Sequence, residues 1–270
     1  MGSEKMHRIP KDHPRYTSLR IRQRMVSGWR RGLAAPEGLL AHGRGEAFDY
    51  LLGERTQPEA AKAIRAAAAT LLLARHPVLS VNGNVAALAP DSMAALARSL
   101  PSAVLEVNLF HRSEARARRI AARMKRLAGR RVRVLGPSPD ARLPGLSSPR
   151  ARSFKEGMLS ADVVLVPLED GDRTEALRRA RKKVVAVDLN PLSRTARTAS
   201  ITIVDNVIRA LPELTRQVCA LRRRPPSELK RLATRFDNRA NLARALGRML
   251  ARLRALSERR RALDPAGRRA

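Results

Sequence analysis

Three short apolar runs constrain the fold of this chain most: Val163–Leu168, Val184–Leu189 and Ile201–Val204. Each passes into polar residues: Glu169-Asp170-Gly171-Asp172-Arg173-Thr174 after the first, Asp188-Leu189-Asn190-Pro191 at the second, Asp205-Asn206 after the third. Runs of four to eight apolar, β-branched-rich residues without alternation predict strands buried on both faces, as in a parallel sheet. Helix-compatible segments separate the runs, so this region reads β-α-β-α-β. In such sheets ligands bind beyond the carboxyl ends of the strands. The acids and amides there, with Arg173, Arg194 and Thr195, predict a site for a polar, phosphorylated small molecule.

The rest of the chain extends the pattern. Val78–Val81 runs into Asn82-Gly83-Asn84, Ala103–Val107 into Asn108-Leu109-Phe110-His111-Arg112, and Val132–Leu135 into a Pro-, Gly- and Ser-rich stretch from Gly136 to Arg152. That stretch reads as a long loop covering the site. Helices are predicted over Ser18–Gly32, with Leu19, Met25, Val26 and Trp29 on one face, and over Pro58–Ala74. Further helices are predicted over Asp91–Leu100, capped by Asp91, and from Glu114 to about Leu127, capped by Ser113 and stopped by Gly129. About six strands alternating with helices predict an α/β fold: a doubly wound, mostly parallel, Rossmann-like sheet with additional N- and C-terminal helices. At 270 residues this suits a single domain spanning residues 1–270. It divides into an N-terminal helical part (1–75), a sheet core (76–208) and C-terminal helices (209–270). His42-Gly43-Arg44-Gly45 reads as a glycine turn that brings backbone close to a ligand while the guanidinium reaches an anion. An ordinary tight turn with a solvated arginine accounts for the same residues. The G-x-G-x-x-G fingerprint is absent after Val81, which disfavours a nucleotide-dependent dehydrogenase.

The formal net charge is +31, from 55 Lys plus Arg against 24 Asp plus Glu, and arginine greatly outnumbers lysine. Clustered cations would point to nucleic acid, because they release counterions from phosphate backbones. Here the arginines are scattered over most predicted helices and crowd the tail. Aromatics make up only 3% of residues, leaving little to stack on bases. A solvated, arginine-rich exterior accounts for the surplus, and no dedicated nucleic-acid partner is expected. The competing reading is a nucleotide- or RNA-binding regulatory module that uses the basic surface. A single cysteine, Cys219, excludes an internal disulfide and reads as a small buried hydrophobe in Val218-Cys219-Ala220-Leu221. No run approaches the length of a membrane span and the amino terminus lacks an apolar signal core, so a cytoplasmic protein is expected.

Several blocks carry a resemblance: "HPRYTSLRIR" (His13–Arg22), "GLLAHGRGEAFDYLLGERT" (Gly38–Thr56), "HPVLSVNGNVAAL" (His76–Leu88), "EVNLFHRSEAR" (Glu106–Arg116), "PLEDGDRTEAL", "DLNPLSRTAR" and "ITIVDNVIRA". In content and order they resemble the archaeal 4-phosphopantoate–β-alanine ligase family, also called archaeal phosphopantothenate synthetase, from about Ile9 to Leu214. The resemblance implies condensation of 4-phosphopantoate with β-alanine to 4′-phosphopantothenate in coenzyme A biosynthesis. ATP is then the co-substrate, AMP and diphosphate are the products, and a phosphopantoyl-adenylate is the intermediate. It also implies a homodimer, which the tail helices could form by burying Leu246, Met249, Leu250 and Leu253.

The resemblance places ATP on Arg22, Arg44, Asp188, Leu189, Asn190, Arg194, Thr195, Asn206 and Val207. Residue chemistry agrees in outline. Guanidinium groups stay charged and donate paired bonds to phosphate. An acid at a strand end can accept from ribose hydroxyls. Asn190 and Asn206 can donate and accept, as an adenine edge requires. Asn82, Asn84, Asn108, His111 and Arg112, at the ends of neighbouring strands, are the candidates for phosphopantoate or β-alanine. Mg²⁺ is expected with the triphosphate, and Glu169, Asp170 and Asp172 are its candidate ligands; an acid-rich loop capping the next helix accounts for the same three acids. No catalytic residue is identifiable, and neither His42 nor His111 is assigned such a role.

Overall fold

All six expected strands form, and they join a single parallel sheet in the computed structural model, which describes residues 9–146 and 151–263. Three helices come first: α1 (Tyr16–Arg30), α2 (Pro36–Leu52) and α3 (Pro58–Leu72). The first half of the sheet follows as β1 (Pro77–Val81), α4 (Gly83–Leu88), α5 (Pro90–Ser99), β2 (Val104–Val107), α6 (Glu114–Ala128) and β3 (Arg133–Leu135). A small antiparallel pair, β4 (Ala141–Arg142) and β5 (Arg152–Ser153), and a π-helical turn at Lys155–Leu159 make the crossover. The second half is β6 (Val163–Pro167), α7 (Gly171–Arg179), β7 (Lys183–Val187), α8 (Arg194–Thr198) and β8 (Ile201–Ile203). Helices α9 (Val207–Leu221), α10 (Pro226–Thr234) and α11 (Asn238–Leu263) close the chain.

The strand order is β3-β2-β1-β6-β7-β8, with every pairing parallel. This is the doubly wound arrangement, and the direction of winding reverses between β1 and β6. Strand side chains alternate between two apolar layers, as the period of two demands. Leu79, Val163, Leu165, Val185 and Val187 join the large core beneath α3, α5, α6 and α9. Val78, Val164, Val166, Val184 and Ala186 join a smaller core with Ala176 and Leu177 of α7 and Leu143 and Met158 of the crossover. The alanine run of α3 is wholly buried, because small side chains let that helix lie close to α9 and β8. Glu106 on β2 is fully buried among these layers. It accepts from Met158 N at 2.6 Å and from Ser153 Oγ at 2.9 Å, pinning the crossover to the sheet.

Several local expectations change. His42–Gly45 is not a turn but the middle of α2, which Pro36 opens at its first turn and Gly53, at φ +80°, closes. Glu46, Asp49 and Leu52 lie buried along one side of it, so tertiary contacts outweigh the weak helix propensity of two glycines. Asn82-Gly83-Asn84 opens α4, with Asn82 as its cap. Asp91 is not a cap; Pro90 starts α5 from Ala89. The inner face of α1 is Ser18, Ile21, Met25 and Gly28, leaving Trp29 43% exposed, so the apolar stripe is narrower than its largest residue suggested. Cys219 is exposed, because Leu214, Val218 and Leu221 set the inner face of α9 and its neighbour in sequence points elsewhere. Ser113 and Gly129 cap α6 as expected. No described residue of 136–152 lines the cavity at the switch point: Gly136 accepts from Arg112, Leu143 is buried with Val78 and Val104, and residues 147–150 lie outside the described set.

Gly83 marks the closest backbone approach in the amino-terminal half. A Cβ there would lie 2.6 Å from the carbonyl oxygen of Leu33 and 3.1 Å from Cα of Ala34, both main-chain atoms that cannot swing aside. Gly83→Ala is expected to lower the unfolding free energy by about 1–3 kcal/mol, the usual cost of overpacking, as measured by urea denaturation.

Candidate functional site

The site begins where β6 ends. Leu168 sits at φ +54°, a left-handed conformation unusual for a branched side chain and costing about 1–3 kcal/mol. Asn82, at the end of the adjacent β1, holds this kink. Its Nδ2 donates to the carbonyls of Pro167 and Leu168, each at 2.9 Å, while its Oδ1 caps α4 at Val85 N, 3.0 Å away. Beside this pair, at the reversal of winding, lies a cavity of about 460 Å³. Its walls come from the ends of β6, β7 and β8, from α4, and from one face of α2 carrying His42, Arg44, Gly45 and Phe48.

Of the nucleotide candidates, Arg44, Asp188, Leu189, Asn190, Arg194, Thr195, Asn206 and Val207 all line this cavity. The side chains hold different positions within it. Among the described residues Arg44 makes no hydrogen bond or ion pair, and its charge is felt at Asp188. Asp188 instead orders its own loop: it accepts from Asn190 N at 2.9 Å and from the hydroxyl of Ser193, which in turn caps α8. Burial pushes the Asp188 carboxyl up, against the pull of those donors and of Arg44. Asn190 turns its oxygen to Leu192 N, and Thr195 donates to the carbonyl of Glu169 at 2.9 Å. Arg194 is paired with Asp172 at 2.7 Å and Glu175 at 3.0 Å. Asn206 caps α9 and donates to Asp49 at 2.8 Å, so each end of its amide already holds one protein partner. The amino-terminal residues of α7 and α9, Gly171 and Val207, face the cavity, and the first N–H groups of a helix lack intrahelical partners.

The remaining candidates are dispersed. Arg22 lies outside the lining, gripping Glu46 through Nε at 2.8 Å and Nη2 at 2.7 Å; Glu46 also accepts from Tyr50. Asn82 is a clamp in the frame, and Asn84 does line the cavity while donating to the carbonyl of Gly38. Asn108 is buried behind the wall, donating to Ser80 Oγ and to the carbonyl of Glu106. His111 stands outside beside Glu37, and Arg112 is a buried strut that donates to the carbonyl of Gly136 at 2.6 Å. Glu169 and Asp170 line the cavity, but Asp172 does not, being drawn outward by Arg194. Asp170 caps α7 at Arg173 N, 2.9 Å. No three His, Cys, Asp or Glu side chains among the described residues are grouped to hold a metal, so these three acids are not a ligand set.

Three further residues bear on the cavity: Gly45, read in the sequence as bringing backbone close to a ligand, and His42 and Arg209, to which the sequence assigned no part. His42 Nε2 is buried without a partner, and burial lowers the proton affinity of its ring. Gly45 leaves room that a Cβ would enter, its nearest neighbour being Leu189 Cδ1 at 3.7 Å. Arg209 donates to Asp49 at 2.5 Å and Asp205 at 2.6 Å, tying α2 to α9 below the cavity. Burial raises the Asp205 carboxyl against the opposing charge of Arg209. Only the spacing Asp205…Arg209, one helical turn apart, hinted at that network.

Fold and site together define a doubly wound α/β protein with a cavity lined by acids, amides and arginines at its switch point. The family model described as phosphopantothenate/pantothenate synthetase matches residues 59–252, more than half of the chain. A protein named 4-phosphopantoate–β-alanine ligase from Thermococcus kodakarensis is 51% identical over 253 residues, 94% of this chain and 96% of the relative. One of the same name from Methanosarcina mazei is 48% identical over 249 residues, covering 92% and 97%. The chain belongs to the phosphopantothenate/pantothenate synthetase family.

Glu169 gives the cavity a pH signature. Its side chain is 8% exposed, and burial pushes its carboxyl from 4.5 up to about 7, with Arg173 pulling down and Asp170 pushing further up. A carboxyl raised on folding contributes stability that is fully present below its unfolded value and is lost as pH rises through its folded value. Glu169→Gln removes that loss. Relative to the wild type, the Glu169→Gln Tm is expected to climb between pH 4.5 and 8, as read by thermal melts across that range.

Proposed function

We propose that this chain is an ATP-dependent ligase that condenses 4-phosphopantoate with β-alanine to give 4′-phosphopantothenate, AMP and diphosphate in coenzyme A biosynthesis. One observation carries the reading. An unpaired guanidinium, Arg44, faces the amino-terminal ends of two helices across a polar cavity at the switch point, in a chain about half identical to ligases of that name.

The chemistry follows from what such a reaction requires. A carboxylate is a poor electrophile, so its oxygen attacks the α-phosphorus of ATP and diphosphate departs. The resulting phosphopantoyl-adenylate is a mixed anhydride that the amine of β-alanine then opens. Two anions have to be held together, which demands fixed positive charge. In our reading Arg44 supplies it, with the backbone N–H groups at the starts of α7 and α9 as further donors. Leu189, beside Gly45 in the lining, offers an apolar surface on which an adenine ring can lie. Asp188, Ser193 and Asn190 keep the loop after β7 in shape, and Asn206 keeps α9 aligned. Arg22 acts through Glu46, fixing α1 to α2 behind His42. The acids at the cavity do not form a metal cage, so Mg²⁺ would arrive on the triphosphate with its own waters.

Two copies are proposed to pair through α11, where Leu250, Leu253 and Leu256 are 43–50% exposed at helical spacing. Met249, expected in that surface, is buried within the chain instead. We place the enzyme in the cytoplasm, and no helix among the described residues is long and apolar enough to cross a membrane.

AMP release that requires both phosphopantoate and β-alanine is the expected result of a nucleotide assay. Arg44→Ala should cut kcat/KM for ATP by at least tenfold, the scale of one charge-assisted contact, with circular dichroism unchanged. ADP and orthophosphate as the sole products would overturn the adenylate route and spare the ligase. Gel filtration at high salt is expected to give twice the 29.8 kDa chain mass, falling to one chain in Leu250→Glu/Leu253→Glu.

A further inference from the structure

Glu169 and Glu106 occupy neighbouring parts of the same sheet and are both buried, yet they are held very differently. Glu106 accepts two short hydrogen bonds, at 2.6 and 2.9 Å, and faces only protein. Glu169 has loose contacts alone: Asp170 N at 3.2 Å, Ser80 Oγ at 3.4 Å and Arg173 Nη1 at 3.6 Å. A carboxylate carries about four acceptor positions, and the three contacts that Glu169 makes are all longer than the two that hold Glu106. Glu169 also lines the cavity. It follows directly on Leu168, whose left-handed φ of +54° is locked by Asn82. Backbone strain held in place beside a loosely bound acid, at the switch point of the sheet, is the arrangement of a group kept ready for a ligand.

The other acids of the wall are committed. Asp188 orders the loop after β7 and Asp170 caps α7. On the far side α2 presents Arg44 and His42; behind the wall β1 and β2 place Ser80, Asn108 and the buried Glu106, whose carboxyl also feels the charge of Arg173. Among the described residues the charges felt most at Glu169 are those of Arg173 in α7 and of Asp170, its cap. An acid in that place suits a positively charged group, and of the proposed substrates only the amino acid brings one.

Resting on the ligase reading, we infer that Glu169 binds the ammonium group of β-alanine and accepts its proton, making the amine nucleophilic beside the adenylate. In the step, one ammonium proton passes to the Glu169 carboxylate and frees the nitrogen lone pair. The C–N bond forms at the acyl carbon, the bond from that carbon to the phosphate oxygen breaks, and AMP leaves with the electron pair. The second nitrogen proton goes to solvent, and Glu169 returns its own to water as product departs. A carboxyl raised by burial is a stronger base than an ordinary one, which shortens the uphill transfer from an alkylammonium.

The test separates the two half-reactions. Phosphopantoate-dependent exchange of labelled diphosphate into ATP reports adenylate formation alone; β-alanine-dependent AMP release reports the whole. Glu169→Gln is expected to keep exchange within about threefold and to lose 10²-fold or more of β-alanine-dependent turnover, the range of general-base catalysis. Hydroxylamine, whose nitrogen is uncharged at neutral pH, should restore AMP release in the variant. In the wild type, turnover with β-alanine should fall below about pH 7 while turnover with hydroxylamine does not. Near-wild-type turnover of Glu169→Gln with β-alanine, or loss of exchange in step with amide formation, would overturn the assignment. Wild-type protein that forms no adenylate would remove the ligase reading itself, and this assignment with it.

Discussion

The side chain of Asn82 joins the two halves of the sheet at the point where its winding reverses. The oxygen caps α4 and the nitrogen bridges the carbonyls of Pro167 and Leu168, so one amide fixes the end of β1, the start of a helix and a strained turn after β6. Parallel strands necessarily diverge at their carboxyl ends into separate crossovers, and the gap at the reversal has no helix filling it. Something has to hold its edges, and a residue with both a donor and an acceptor does this at no cost in charge. The positions of Glu169, of the α7 cap and of the cavity floor all depend on that clamp.

A second theme is the distribution of buried charge. Removing one partner from a buried ion pair generally costs about 3–5 kcal/mol, because the other is left uncompensated. The Asp49–Arg209–Asp205 group is of this kind and fastens α2 to α9, while the Arg22–Glu46 grip, with Arg22 45% exposed, ties the same side of α2 to α1. With the helix fixed along that side, its glycine-bearing face can stay open towards the cavity, and Arg44 needs no protein partner. The helix is rigid where it is paired and accessible where it is not.

Apart from these groups, the large arginine excess lies on surfaces where pairs such as Arg216–Glu213 and Arg179–Glu175 are solvent-exposed and contribute little to stability. Most of the +31 charge therefore belongs to the exterior, and the site draws on a few guanidinium groups set by the fold.

The amino-acid sequence by itself determined the sheet and the place of its polar rim. Uninterrupted β-branched runs ending in acids and amides admit few arrangements other than buried parallel strands with a polar rim, because the alternating pattern of a half-exposed sheet is missing. Eight of the nine nucleotide candidates line one cavity because they lie within a few residues of strand ends or in one glycine-rich block, and strand ends converge whatever the details. The tertiary structure alone decided which side chains stay free. Asn206 and Arg194 looked like ligand groups and have protein partners; Arg22 looked like a clamp on phosphate and holds Glu46; Glu169 looked like one of three equivalent acids and differs from the others in what it touches. His42–Gly45 became helix because Glu46, Asp49 and Leu52 find partners in α1, α9 and α11, contacts remote in sequence. Residue type states what a side chain can bond; only three-dimensional neighbours state whether that capacity is already taken.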